Sequence, residues 1–305
     1  MADSVQTIPA PERVGRPWAL PALGASGLRF CRRKPLGAIG GVLILALLVM
    51  AVFADRIAPY DYDESVARMK PPSLQFWMGT DNLGRDIWSR IVYGARISVT
   101  VGFATVALAT LLATLIGVSS AYLGGSYDIV VQRVVDAWIS FPALVIVLSL
   151  LAVLGPGLLN LILALSLLGA AGASRVIRGA TLSVMQHTYL EAARALGAGH
   201  GRILLVYILP NVAATIIILA TIGLGTVILA ESALSFLGFG VPPPYPSWGG
   251  MLSGSGRSFM YHAPWMAIWP SVAISLAVFG FNMFGDALRD LLDPRLRGAG
   301  GTRIR

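Results

Sequence analysis

Charge is scarce in this chain. Only 12% of its 305 residues are Asp, Glu, Lys or Arg, while 56% are hydrophobic. A soluble domain carries about 25% charged residues, so a large water-soluble core is excluded and an integral membrane protein is implied. Cysteine is scarcer still. Cys31 stands alone, which excludes an internal disulfide and a cysteine metal cluster. The three histidines, His187, His200 and His262, are far apart and lack metal-ligand spacing. Lysine occurs only at Lys34 and Lys70, and neither falls in a Gly-x4-Gly-Lys-Ser/Thr string. The chain therefore lacks a Walker loop for nucleotide phosphates. No nucleophile–base pair stands out either, which leaves a membrane enzyme the weakest reading. No catalytic residue, cofactor or metal is expected. Energy for uphill work has to come from a partner or an ion gradient.

What the chain does have is long apolar runs. The first, Leu36 to Ala54, is uncharged and, at about 1.5 Å per residue, long enough to cross a hydrocarbon core of roughly 30 Å. Further spans are expected over Ile97–Val118, Trp138–Leu154, Leu158–Ala173, Val212 to beyond Ala230, and Trp265–Phe284. Six helices result, an all-α polytopic membrane protein. Gly37 and Gly41 form a GxxxG, and Gly169 to Gly172 is a run of small residues that allows close helix approach. Met1 to Leu28 is polar and Pro-rich, expected to be a loosely held tail without a signal peptide.

Between spans, the mixed-charge segment Asp55–Arg96 is expected to hold a short interfacial helix. It would be capped by Thr80 or Asp81 and carry Ile87, Trp88, Ile91 and Val92 on one side. Ser119–Ala137 reads as a polar link, and Val241–Gly250, with three consecutive prolines, as a surface loop. The net charge is +8, but the arginines cluster at span ends, so anchoring in lipid explains them better than nucleic acid does. With the N-terminus inside, 16 of the 23 Lys and Arg residues fall on the inner side. Both termini and the stretch Thr181–Asn211 are then cytoplasmic.

That stretch breaks the apolar pattern. Leu182, Met185, Tyr189, Ala192, Ala193 and Leu196 recur at helical spacing, with Ser183, His187, Glu191 and Arg194 opposite. One amphipathic helix over Leu182–Leu196 is expected. Gly197 would supply a turn tolerant of positive φ, and a second helical run, Ile203–Leu209, would end against Pro210-Asn211. Such a pair either lies on the lipid surface or docks on something outside the bilayer. Few ionisable groups interrupt the spans. Glu231 is either an outer gate or substrate contact, or the partner of a polar group at the end of the fifth span, which its terminal position favours. Asn160, Asn211 and Asn282 read as interhelical hydrogen-bonders.

Glu191-Ala192-Ala193, three residues, Gly197, nine residues, Tyr207, one residue, then Leu209-Pro210 resembles the EAA loop of ABC-importer permeases. The family has Ile where this chain has Tyr207. The strings GTDNLGRDIWSR (79–90), ESALSFLGFGVPPPYPSWG (231–249) and DALRDLLDPRLR (286–297) resemble the C-type permease subunit of dipeptide, oligopeptide and nickel importers. The resemblance implies that Glu191, Ala192, Ala193, Gly197, Leu209 and Pro210 couple the chain to an ATPase. It also implies a homologous second permease forming a heterodimer, two cytoplasmic ATP-binding subunits and an extracytoplasmic substrate-binding protein. Peptides are the cargo that fits best, with nickel or another small solute as alternatives. The expected layout is a cytoplasmic tail over 1–29, the first span and outer loop over 30–96, a permease core over 97–292 containing the loop 181–211, and a tail over 293–305. The rival reading is a secondary transporter or channel working alone.

Overall fold

The structure is a computed structural model that describes residues 34–253 and 257–292. The chain divides after Pro35, and of Met1–Pro35 only Lys34 and Pro35 are described. The expectations for the N-terminal tail, and for 293–297 of the last family string, lie outside the described residues.

Helices account for nearly all the order, and among the described residues no strand forms beyond the isolated bridge Thr80–Asp86. We label the principal helices α1 (Pro35–Val52), α2 (Ile87–Leu123), α3 (Gly125–Ile139), α4 (Ala143–Leu154), α5 (Leu158–Met185), α6 (Thr188–Ala195), α7 (His200–Phe236) and α8 (Trp265–Leu292). Among the described residues, five of them (α1, α2, α5, α7 and α8) are long and apolar enough to cross a bilayer. A sixth crossing arises when the bent pair α3–α4 is counted as one.

The second span is longer than its sequence suggests. Asp86, not Thr80 or Asp81, is the cap, and its carboxylate accepts from the Ser89 amide at 2.8 Å. Asp81 instead closes the preceding turn, accepting from the Leu83 and Arg85 amides at 2.9 Å. The expected interfacial helix and the second span are thus one 37-residue helix, about 55 Å long.

The third span is corrected more sharply. Trp138–Leu154 is not one helix, because Ser140-Phe141-Pro142 breaks it and α3 meets α4 at 89°. Proline lacks the amide that would continue α3 and disfavours helical backbone in the residue before it. The 12 residues of α4 reach only about 18 Å. Residues expected as a polar link form α3, held to α5 by Asp128–Arg178 and Asp136–Arg175 ion pairs.

Close crossings use small residues. A Cβ on Gly117 of α2 would lie 2.5 Å from the Ser174 carbonyl of α5, and Ser166 bridges the same pair by donating to Thr105 O at 3.1 Å. Ala170 and Ala171 are buried as expected, while Gly172 faces open space. In α1 an intimate contact is made by Gly40, whose Cβ would lie 2.6 Å from the Gly280 carbonyl of α8. Leu47, Ile91, Ile228, Trp248, Met266 and Phe281 form the largest buried cluster. The outer flanks of α1 show exposed Leu36, Ile39, Val42, Leu45 and Val52, a surface suited to lipid.

Candidate functional site

The family strings gather at opposite ends of α2, and the 181–211 elbow occupies one of them. α5 ends at Met185, and Gln186-His187 interrupt the expected continuous helix before α6 begins. The break resets the helical phase. The buried face of α6 is Leu190 and Ala193, which are 0% and 6% exposed. Of the expected apolar stripe, Tyr189, Ala192 and Leu196 face outward, with Leu196 89% exposed, while Ala193 turns inward. Leu190 anchors the elbow in a cluster with Ile177, Ile203 and Ile208. Its role went unseen in the sequence because the phase was carried across Gln186-His187.

Gly197 closes α6 as the spacing predicts. Its φ is +79°, its amide donates to Arg194 O at 2.9 Å, and the Ala198 amide donates to Ala193 O at 3.0 Å. These two bonds are the Schellman pair that satisfies the last carbonyls of a helix. Glu191 and Arg194 are exposed and form no ion pair with each other, so the local pairing of the two is not made. Tyr189 stacks between His187, at 5.4 Å, and Tyr207, at 6.4 Å, and partial burial raises its phenol pKa above the ordinary value. Tyr207, the departure from the family's Ile, is thus part of an aromatic stack that steadies the elbow. Tyr122 at the end of α2 pairs with His200 Nδ1 at 2.6 Å, which ties the start of α7 to α2.

Leu209 and Pro210 do not end a helix. Ile203–Ile208 winds as a π turn and runs directly into the α-helical part of α7. The wider turn accommodates Pro210, which has no amide to donate and would crowd the carbonyl one turn back. Both residues are half-buried. Asn211 donates to Tyr207 O at 2.6 Å in its own helix rather than across helices, whereas Asn160 reaches the end of α4, donating to Leu154 O at 2.8 Å.

At the other end of α2, the loop strings pack together. Trp248 donates to Ile91 O at 3.0 Å, and Trp265 to Thr80 O at 3.2 Å. The second half of the supposed surface loop is therefore core: Pro246 to Gly249 are buried, while Pro242 to Tyr245 are exposed as expected. Gly249 is obligatory, since a Cβ there would sit 2.0 Å from Ser232 O. Glu231 is 0% exposed and accepts from Ser235 Oγ at 2.7 Å and Ser232 Oγ at 3.3 Å. It does not line the adjoining cavity of about 380 Å³, whereas Ser235, Asp81, Arg85 and Arg90 do. That convergence was invisible in sequence, because Arg85 and Ser235 are far apart along the chain.

Residues 113–298 match the family described as binding-protein-dependent transport system inner membrane component, and residues 27–72 match the N-terminal TM domain of oligopeptide transport permease C. The chain is 40% identical over 268 residues to the dipeptide transport system permease protein DppC of Alkalihalophilus pseudofirmus, covering 87% of this chain and 88% of that one. It is 39% identical over 291 residues to the glutathione transport system permease protein GsiD of Escherichia coli, covering 94% of each. A chain of the methionine ABC transporter MetNI shares the fold, with a TM-score of 0.55 at 19% identity, covering 68% of this chain and 97% of that one. With its six possible crossings, the Gly197-capped elbow and these matches over most of its length, the chain belongs to the inner-membrane permease subunits of binding-protein-dependent ABC importers.

Proposed function

We propose that the chain forms half of the translocation pathway for short peptides, and that its elbow takes mechanical force from a cytoplasmic ATPase. The observation that carries this reading is the apolar stripe Tyr189, Ala192 and Leu196 turned away from the protein's own core. A rigid helix with an outward apolar face and a capped end is built to be gripped. Ala192 would let the ATPase surface approach closely, and Glu191, unpaired by Arg194, would supply a charge-assisted hydrogen bond across the interface. Ala193, being buried, would support the elbow from behind. Gly197, Leu209 and Pro210 would fix the angle at which the elbow leaves α7. Closure of two ATP-binding subunits would then tilt the spans between inward- and outward-facing states.

The remaining partners follow from the same reading: a homologous second permease in a heterodimer and an extracytoplasmic binding protein that selects cargo. The ATPase activity would reside in the partner subunits. Both termini would be cytoplasmic, as the 16 of 23 basic residues on that side favour. Peptide cargo rests on the relatives named for dipeptide and glutathione transport. Ligand binding by the partner binding protein, measured against peptides, nickel and other small solutes, tests that assignment.

The elbow is tested by Leu196→Glu, Glu191→Lys and Gly197→Asp. Each should leave the permease in the membrane but lower ATPase co-purification by about tenfold, roughly 1.4 kcal/mol of interface, and abolish uptake. Full coupled uptake in both the Glu191 and Gly197 variants would overturn the proposal. So would solute transport by this chain alone in liposomes, the behaviour of a self-sufficient transporter or channel.

A further inference from the structure

The cavity opposite the elbow holds two arginines whose hydrogen-bonding capacity the chain does not use. Arg90 is 6% exposed, and its side chain makes one hydrogen bond, from Nη1 to Tyr62 O at 2.9 Å. Its Nε and Nη2 find no acceptor, and no carboxylate lies within ion-pairing distance of it among the described residues. Asp81, Asp63 and Arg85 act on its charge only from farther away. Neither Nε nor Nη2 is a fully buried polar atom left without a partner, so both are open to solvent from the cavity that Arg90 lines and to a partner arriving from outside.

Asp81 is not that partner, because it lies beyond ion-pairing distance of Arg90 and is engaged with Arg85 instead. Oδ1 accepts from the Leu83 and Arg85 amides, and Oδ2 from Arg85 Nε at 2.7 Å. That pairing in turn orients Arg85 while leaving both of its Nη groups without an acceptor. Arg85 and Arg90 line the same cavity, beside the hydroxyl-bearing Ser235 and Ser247. A guanidinium is a planar fork that matches a carboxylate with two parallel hydrogen bonds. The volume of about 380 Å³ lies within the range of small-molecule sites, and the recessed arginines suit a small ligand better than a flat protein surface.

We propose that this cavity is a carboxylate-binding site in which Arg90, assisted by Arg85, receives the C-terminal carboxylate of a short peptide before it passes into the membrane. The proposal rests on the peptide-importer reading. It assigns the GTDNLGRDIWSR string and the last helical turn at Ser235 a direct hold on cargo, in addition to their part in packing.

The test uses the complete assembly of permeases and ATPases in detergent, without binding protein, and measures equilibrium binding of dialanine and of dialanine amide. The amide should bind at least about tenfold more weakly than the free acid. Arg90→Gln should bring dialanine down to the level of the amide, and Arg90→Lys should keep part of the difference. If Arg90→Gln fails to assemble, Arg85→Gln takes its place and should narrow the same ratio. Equal binding of acid and amide, no dialanine binding at millimolar concentration, or an unchanged ratio in the arginine variants would overturn the site. Arg90→Gln weakening the docking of ligand-free binding protein, with the acid–amide ratio intact, would overturn it too by giving the carboxylate to the partner. ATP-dependent uptake in vesicles separates the two readings. Peptide import without carboxylate preference at the permease ends the site alone, whereas absence of peptide import ends the reading beneath it.

Discussion

At the scale of single residues, the elbow rests on one backbone conformation. Gly197 sits at φ +79° with nothing within 4 Å of the position a Cβ would take. Any penalty for Gly197→Ala is therefore conformational, not steric, and should be about 1 kcal/mol. Gly199→Ala, at φ −67° in equally open space, should be neutral or slightly stabilising, since it restricts the unfolded chain. Thermal melts of the two variants in one detergent check the contrast. Gly249 is the opposite case: its limit is contact with Ser232 O, so Gly249→Ala should displace the Trp248 loop and fail to give a folded monomer on size-exclusion chromatography. Asp55 illustrates a milder effect. The hydrogen bond from Arg96 holds its carboxyl below the usual range. A depressed carboxyl stabilises the fold above its unfolded pKa and loses that contribution only as pH falls through the folded value. Asp55→Asn should therefore lower stability slightly in the neutral region and converge with the unaltered chain at acid pH, as melts between pH 3 and pH 8 would show.

At the scale of elements, α3 and α4 are the part whose placement depends on few groups. α3 leaves Ile129, Val130 and Val134 exposed and is tied to α5 by two ion pairs. Asp128 is the more enclosed acid, at 17% side-chain exposure against 37% for Asp136, and it also accepts from Ser120. Removing one member of a partly buried, multiply bonded pair costs more than breaking an exposed one. Asp128→Asn should thus lower stability by about 1–2 kcal/mol, and Asp136→Asn by under about 1 kcal/mol. The exchange Asp128→Arg with Arg178→Asp should recover part of the loss in a double-mutant cycle. Equal effects of the two Asn variants would show that α3 is held by apolar packing instead.

At the scale of the whole molecule, α2 separates the two functional ends by about 55 Å, more than a bilayer's hydrocarbon core. Leu196 at the elbow and Tyr261 at the far end are each 89% exposed, so they report orientation. In a Cys31→Ser background, Leu196→Cys should react with a membrane-impermeant maleimide only from the cytoplasmic side and Tyr261→Cys only from the outer side. Labelling of both from one face would refute the charge-based topology. On the proposed reading, force applied at the elbow would have to travel through packed helices. α2 and α5 cross closely at Gly117 and Ser174, and Ser166 binds the Thr105 carbonyl, so the pair can move as one body.

Much of this was legible from residue order alone. Long uncharged runs specify membrane crossings because lipid leaves the backbone no partner but itself. A glycine at the end of a helical pattern specifies a left-handed cap because other residues resist that geometry, and Gly197 adopts it. Local physics of this kind travels with the sequence. What needed the folded chain was phase and proximity. A break at Gln186 and His187 split the elbow's helix, and packing made Leu190 and Ala193 its inward face. Pro142 bent one crossing into two helices, while Pro210 was absorbed by a π turn. Arg85 and Arg90 met Ser235 across a cavity only because α2, α7 and the Trp248 loop pack at one end. Spacing within a helix is a property of neighbours along the chain. Which face is buried, and which distant charges share a pocket, is settled by the packing of all the helices together.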